Sequence, residues 1–73
     1  MRAELIIDRI LETVQTLSFM PGMGGWRSFL KRGSLAFPVP PWLIIYRPLP
    51  ELDGIEVIRV VDSRRDLANI LER

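Results

Sequence analysis

The sequence predicts a single α+β domain over residues 1–73, with an N-terminal helix, a three-stranded antiparallel sheet and a short C-terminal helix. Three observations predict it. Apolar residues recur at helical spacing from Ala3 to Leu17; Ser18 to Gly25 then gathers Pro21, Gly22, Gly24 and Gly25; and the apolar residues beyond fall into short extended runs.

In the first segment Ile7, Ile10, Val14 and Leu17 follow one another at steps of three and four, and Ile6 and Leu11 widen the stripe. Glu4, Asp8, Arg9, Glu12, Gln15 and Thr16 take the opposite side, which suits water or a polar partner. The proline and glycines of Ser18–Gly25 withhold helical hydrogen bonds and helical backbone preference, so a turn-rich loop is expected there.

The extended runs are Leu35–Val39, Trp42–Arg47 and Ile55–Val61. Pro40 and Pro41 separate the first two, and Pro48–Gly54, with its Asp53-Gly54 turn signal, separates the next pair. Connections this short exclude a parallel crossover, so an antiparallel meander is expected. Both alternating sides of Trp42–Tyr46 are apolar, which places that run at the centre of the sheet with both faces covered. Strict alternation in the last run sets Glu56, Ile58 and Val60 on one face and Ile55, Val57, Arg59 and Val61 on the other. Ser63 followed by Asp66 resembles a capping box, so a final helix is expected to start there and to use Leu67, Ile70 and Leu71 as its apolar side. Arg64 and Arg65 in its first turn oppose the helix dipole, so they are expected to pair with acids or to face an anionic partner.

Composition narrows the function. A chain of 73 residues holds one lean core and buries only about 60% of its unfolded surface, so further stability is expected from association. There is no Cys and no His, which removes disulfides, thiolate metal sites and a Ser-His-Asp arrangement, and fits a cytoplasmic protein. No apolar run approaches the roughly 20 residues of a membrane span, and no signal-peptide pattern opens the chain, so no membrane role is expected. Gly22-Met23-Gly24-Gly25 lacks the Lys-Ser/Thr pair of a phosphate loop. Asp62 and Asp66 read as capping and surface charge rather than paired catalytic acids.

The net charge of +1 conceals an uneven distribution. The 38 residues from Thr13 to Pro50 contain no Asp or Glu, yet they carry Arg27, Lys31, Arg32 and Arg47. Such a block either forms a solvated loop or creates a local field that attracts nucleic acid or an acidic protein.

Leu35-Ala36-Phe37-Pro38-Val39, Trp42-Leu43-Ile44-Ile45-Tyr46-Arg47, the run from Gly54 to Val61 and Ser63-Arg64-Arg65-Asp66-Leu67 together resemble the ParE/RelE superfamily of toxins from toxin-antitoxin (plasmid stabilisation) systems. The ParE-like branch fits best. Its members open with a strand and a first helix ahead of the segment that Met1 begins, so the resemblance implies a chain lacking both. A sheet edge and apolar helix surface would then be left for a partner or a second copy, and a homo-oligomer is expected when no antitoxin is present.

The resemblance implies a protein that binds and inhibits DNA gyrase without catalysis, needs no cofactor or metal and is neutralised by a cognate antitoxin. Its partner-binding candidates are Trp26, Arg27, Lys31, Arg32, Arg64 and Arg65, with Trp42 read as core in preference to an anchor. The RelE-like alternative is a ribosome-dependent endoribonuclease in contact with RNA. It is disfavoured because Pro41-Trp42 stands where a strand cation is expected and no tyrosine follows Tyr46. An inactive relic serving as an interaction module is the third reading.

Overall fold

The protein is described here by a computed structural model covering residues 3–64. Helix α1 (Ala3–Phe19) is followed by a 3-10 turn at Pro21–Met23, strand β1 (Leu35–Val39), strand β2 (Trp42–Leu49), a second 3-10 turn at Pro50–Leu52 and strand β3 (Gly54–Asp62). The sheet is antiparallel in the order β1-β2-β3, with β2 at its centre. The helix expected beyond Ser63 lies outside the described residues.

α1 runs two residues past Leu17, because the break comes from Pro21 rather than from Ser18. Met20, directly before that proline, has left helical conformation at φ −129° and ψ 71°. The Ser18 hydroxyl donates to the Val14 carbonyl inside the last turn. Pro40 and Pro41 form the whole connection between β1 and β2, since Val39 pairs with Trp42 on either side of them. β2 continues through Pro48 to Leu49, further than its apolar run indicates. Pro48 stands beyond the last β1 pair, Leu35 with Tyr46, where among the described residues β2 has β3 alone beside it.

Both faces of β2 are buried. Ile44 and Tyr46 join Leu17 and Val39 under α1, with Ile10, Val14, Leu35, Phe37 and Ile55 packed around them. Leu43 and Ile45 point the other way, into a smaller cluster with Ala36, Val61 and Leu30, against which Phe29 packs. No helix covers that second face among the described residues; the segment 26–34 folds over it instead.

Strict alternation does not hold along β3. Ile45 pairs with Arg59 but Tyr46 pairs with Val57, so β3 carries one inserted residue at Ile58. Ile55 therefore packs under α1 while Val61 packs on the opposite face, although both were expected on one side. The sequence is apolar at nearly every position from Ile55 to Val61, so its pattern does not mark the insertion. Packing against both clusters selects it.

Candidate functional site

The segment between α1 and β1 is long, and three attachments hold it. At its start the Tyr46 hydroxyl donates to the Pro21 carbonyl oxygen at 2.6 Å and accepts the Gly24 amide at 2.9 Å. Gly25 then forms a two-way backbone bridge with Ala36 on the outer side of β1. Further on, Leu30 enters the core as an apolar plug, its amide bonded to the Arg27 carbonyl, and Ser34 turns the chain back through a bond to the Lys31 carbonyl. Gly33, at φ +88°, supplies a left-handed residue in that turn. With Leu30 and Ser34 inside, Trp26, Arg27, Lys31 and Arg32 point outward, so the local fold presents a basic loop.

Lys31 and Arg32 lie over the sheet face opposite α1. A half-open groove of about 240 Å³ there is lined by Phe29, Leu30, Lys31, Ser34, Ile45, Ile58 and Arg59. It continues, through the shared Lys31, Ser34 and Ile58, into a second open depression lined also by Arg32, Arg47, Glu56 and Val57. Among the described residues four cations and one carboxylate border an apolar floor. That carboxylate, Glu56, bonds Arg47 across the strands at 2.5 Å, with both side chains half exposed. Such a pair contributes under about 1 kcal/mol and leaves the net field of the groove positive. The arrangement suits an acidic segment that also carries apolar side chains, because the floor adds burial to the attraction at the rim.

The structure brings together only part of the expected set. Lys31 and Arg32 share the groove with Arg47 and Arg59, neither of which stood among the candidates. Arg47 belongs to the acid-free stretch and Arg59 is the lone cation inside an apolar strand, so both carried a signal, but their convergence with Lys31 depends on the loop folding back. The groove borders Glu56–Arg59 in the middle of β3, whereas Arg64 stands past the C-terminal end of that strand. Its guanidinium grips Asp62 through two bonds, 2.9 Å from Nε and 2.7 Å to Oδ2, and its amide bonds the same carboxylate at 2.9 Å. Those bonds hold Arg64 protonated even more firmly than an ordinary arginine. Arg65 lies outside the described residues.

Trp26 is 59% exposed, in the segment after α1 that also exposes Met20 and Met23, and Phe19 at the end of α1 is exposed as well. Trp42 is partly buried at the end of the sheet, and its indole N–H finds no acceptor among the described residues. No helix among the described residues is long and apolar enough to cross a membrane.

The family described as the ParE toxin of type II toxin-antitoxin system, parDE, matches residues 2–67. Over 64 residues the chain is 38% identical to Toxin ParE3 of Caulobacter vibrioides, an alignment covering 85% of this chain and 60% of that protein. The chain therefore spans less than two thirds of the length of that curated relative. No solved structure matches it. A family match over nearly the whole chain, joined to this identity, means that the chain belongs to the ParE toxin family of type II toxin-antitoxin systems.

Proposed function

We propose that this chain acts in the cytoplasm as a toxin that binds and inhibits DNA gyrase, and that a cognate antitoxin neutralises it. The observation that carries a binding mode is the open basic groove, in which Lys31, Arg32, Arg47 and Arg59 surround Phe29, Ile45 and Ile58. A surface of that character recognises an acidic, partly apolar protein segment by complementarity alone. The antitoxin supplies such a segment to the groove, and the exposed apolar loop around Trp26 gives a second area of contact.

The position of Tyr46 also favours binding over catalysis. It is the sole tyrosine, it is fully buried, and its hydroxyl is bonded to Pro21 and Gly24, which leaves it no access to an RNA phosphate.

Purified protein added to gyrase and plasmid DNA tests the proposal. Inhibited supercoiling or stabilised cleavage complexes, reversed by the antitoxin, are expected, with no cutting of RNA with or without ribosomes. Messenger cleavage at the ribosome with gyrase unaffected would instead make the protein a RelE-like ribonuclease. Silence in both assays would leave an inactive interaction module.

A further inference from the structure

Among the described residues the groove holds one acid beside its cations, and an irregularity of the sheet puts it there. Residues three apart on a regular strand point to opposite faces. In β3 the insertion at Ile58 changes this: Glu56 pairs with Arg47 and Arg59 with Ile45, two positions that share a face of β2. The Glu56 carboxylate therefore lies in the depression lined by Lys31, Arg32 and Arg47, on the face that also carries Arg59.

Glu56 adds little to the fold. Its side chain is 50% exposed, and its bond to Arg47 is a surface ion pair of the kind that contributes weakly to stability. Its effect on the field is larger, because it occupies one cation and sets a negative charge into a rim otherwise built, among the described residues, from Lys and Arg. That charge acts differently on two kinds of anionic ligand. A nucleic acid strand carries a phosphate on every nucleotide, so when laid along the groove it cannot avoid the carboxylate. A polypeptide varies its side chain at each position, so it can set acids against Lys31 and Arg32 and a neutral or basic residue against Glu56.

We propose that Glu56 is a specificity-determining residue of the groove. It rejects continuous polyanions such as single-stranded nucleic acid, and it reserves the basic rim for a protein segment whose acidic side chains are interrupted opposite Glu56. The inference rests on the reading of the groove as the site of an acidic, partly apolar partner, and it adds the ligand class which that site excludes.

Fluorescence anisotropy of a labelled oligothymidylate, titrated with the full chain, tests the proposal. Glu56→Gln keeps the size of the side chain, removes its charge and releases Arg47. At low salt it should bind the oligonucleotide at least about fivefold more tightly than the parent chain, with a salt dependence steeper by about one phosphate contact. Adding Lys31→Glu and Arg32→Glu should abolish the gain, which places it in the groove. Glu12→Gln on α1 makes the same change of net charge on the other side of the sheet and should not reproduce it. Antitoxin affinity should rise in Glu56→Gln by a smaller factor than oligonucleotide affinity, since the antitoxin has no acid to bring against position 56. Circular dichroism checks that each variant folds. The proposal is overturned by an oligonucleotide affinity that does not rise, by an equal rise for oligonucleotide and antitoxin, by a rise that survives the Lys31 and Arg32 reversals, or by one that Glu12→Gln matches. Failure of the groove reading itself is read separately: Lys31→Glu with Arg32→Glu would then leave antitoxin affinity unchanged, whatever Glu56→Gln does to the oligonucleotide.

Discussion

The hydroxyl of Tyr46, at the centre of the sheet, donates to the carbonyl oxygen of Pro21 at 2.6 Å and so fastens the exit of α1 to β2 across 25 residues of chain. The same oxygen accepts the Gly24 amide, so one buried side chain satisfies two backbone groups at the 3-10 turn that follows α1. Tyr46→Phe keeps the ring and removes both bonds. It should lower stability by about 1–3 kcal/mol, because a part-buried amide and carbonyl lose their partner together. Urea unfolding measures this, and a loss below about 0.5 kcal/mol would mean that water replaces the hydroxyl.

Gly24 tests the same contact from the other side. Its backbone is ordinary extended chain at φ −75° and ψ 172°, so an added methyl causes no backbone strain. That methyl would instead press on the Tyr46 hydroxyl, lie 2.8 Å from a ring carbon of the same residue and 2.9 Å from the Ala36 carbonyl oxygen. Gly24→Ala is therefore expected to cost about 1–3 kcal/mol through overpacking. The cost should shrink in a Tyr46→Phe background, where the nearest atom is gone, and a double-mutant cycle reads that coupling directly.

Leu30 fixes the basic loop to the sheet. It is the one fully inserted side chain between Trp26 and Lys31, and it packs with Ala36, Leu43, Ile45 and Val61. Leu30→Ala should cost about 2–5 kcal/mol by the usual price of a core truncation. Its distinguishing effect is local: trypsin should cut at Arg27, Lys31 and Arg32 much faster than in the parent chain, under conditions where both remain folded by circular dichroism. Equal cleavage rates would show that the backbone bridge at Gly25, not Leu30, holds the loop.

Much of this fold was readable because short-range pattern and long-range packing agree. Ile10, Val14 and Leu17 form a helical stripe and also the layer beneath the sheet, and the doubly apolar Leu43–Tyr46 is the doubly covered central strand. The insertion at Ile58 was hidden for the opposite reason, since apolar residues on both sides of β3 permit either phase and only the two clusters decide between them. The groove was half legible. The acid-free stretch pointed to Lys31, Arg32 and Arg47, but a groove joining them to Arg59 requires a loop whose path is set by Leu30 and Tyr46, residues that carry no functional signature of their own. Arg64 was grouped with Lys31 by charge alone, and sequence does not show that Lys31 folds over the middle of β3 while Arg64 lies past its end.

That separation leads to a prediction about function that differs from one based on charge count. Lys31 and Arg32 are exposed, make no ion pair among the described residues, and border the apolar floor of the groove. Reversing both, Lys31→Glu with Arg32→Glu, should change stability by under about 0.5 kcal/mol, as surface substitutions do. It should nevertheless weaken antitoxin affinity and any gyrase inhibition at least about tenfold, because an acidic partner would then meet repulsion at the rim it depends on. Arg64→Glu is the control, with the same charge reversal per residue past the C-terminal end of β3. Its guanidinium is already committed to Asp62 and stays charged at every pH at which the protein would be handled, so its removal should disturb the β3 terminus and leave partner affinity nearly unchanged. Titration calorimetry with the antitoxin, at two salt concentrations, separates the outcomes: the parent affinity should fall with salt, and the double reversal should flatten or invert that dependence. If Arg64→Glu weakens binding as much as the double reversal, the partner spans the length of the sheet and the groove is only one part of its footprint.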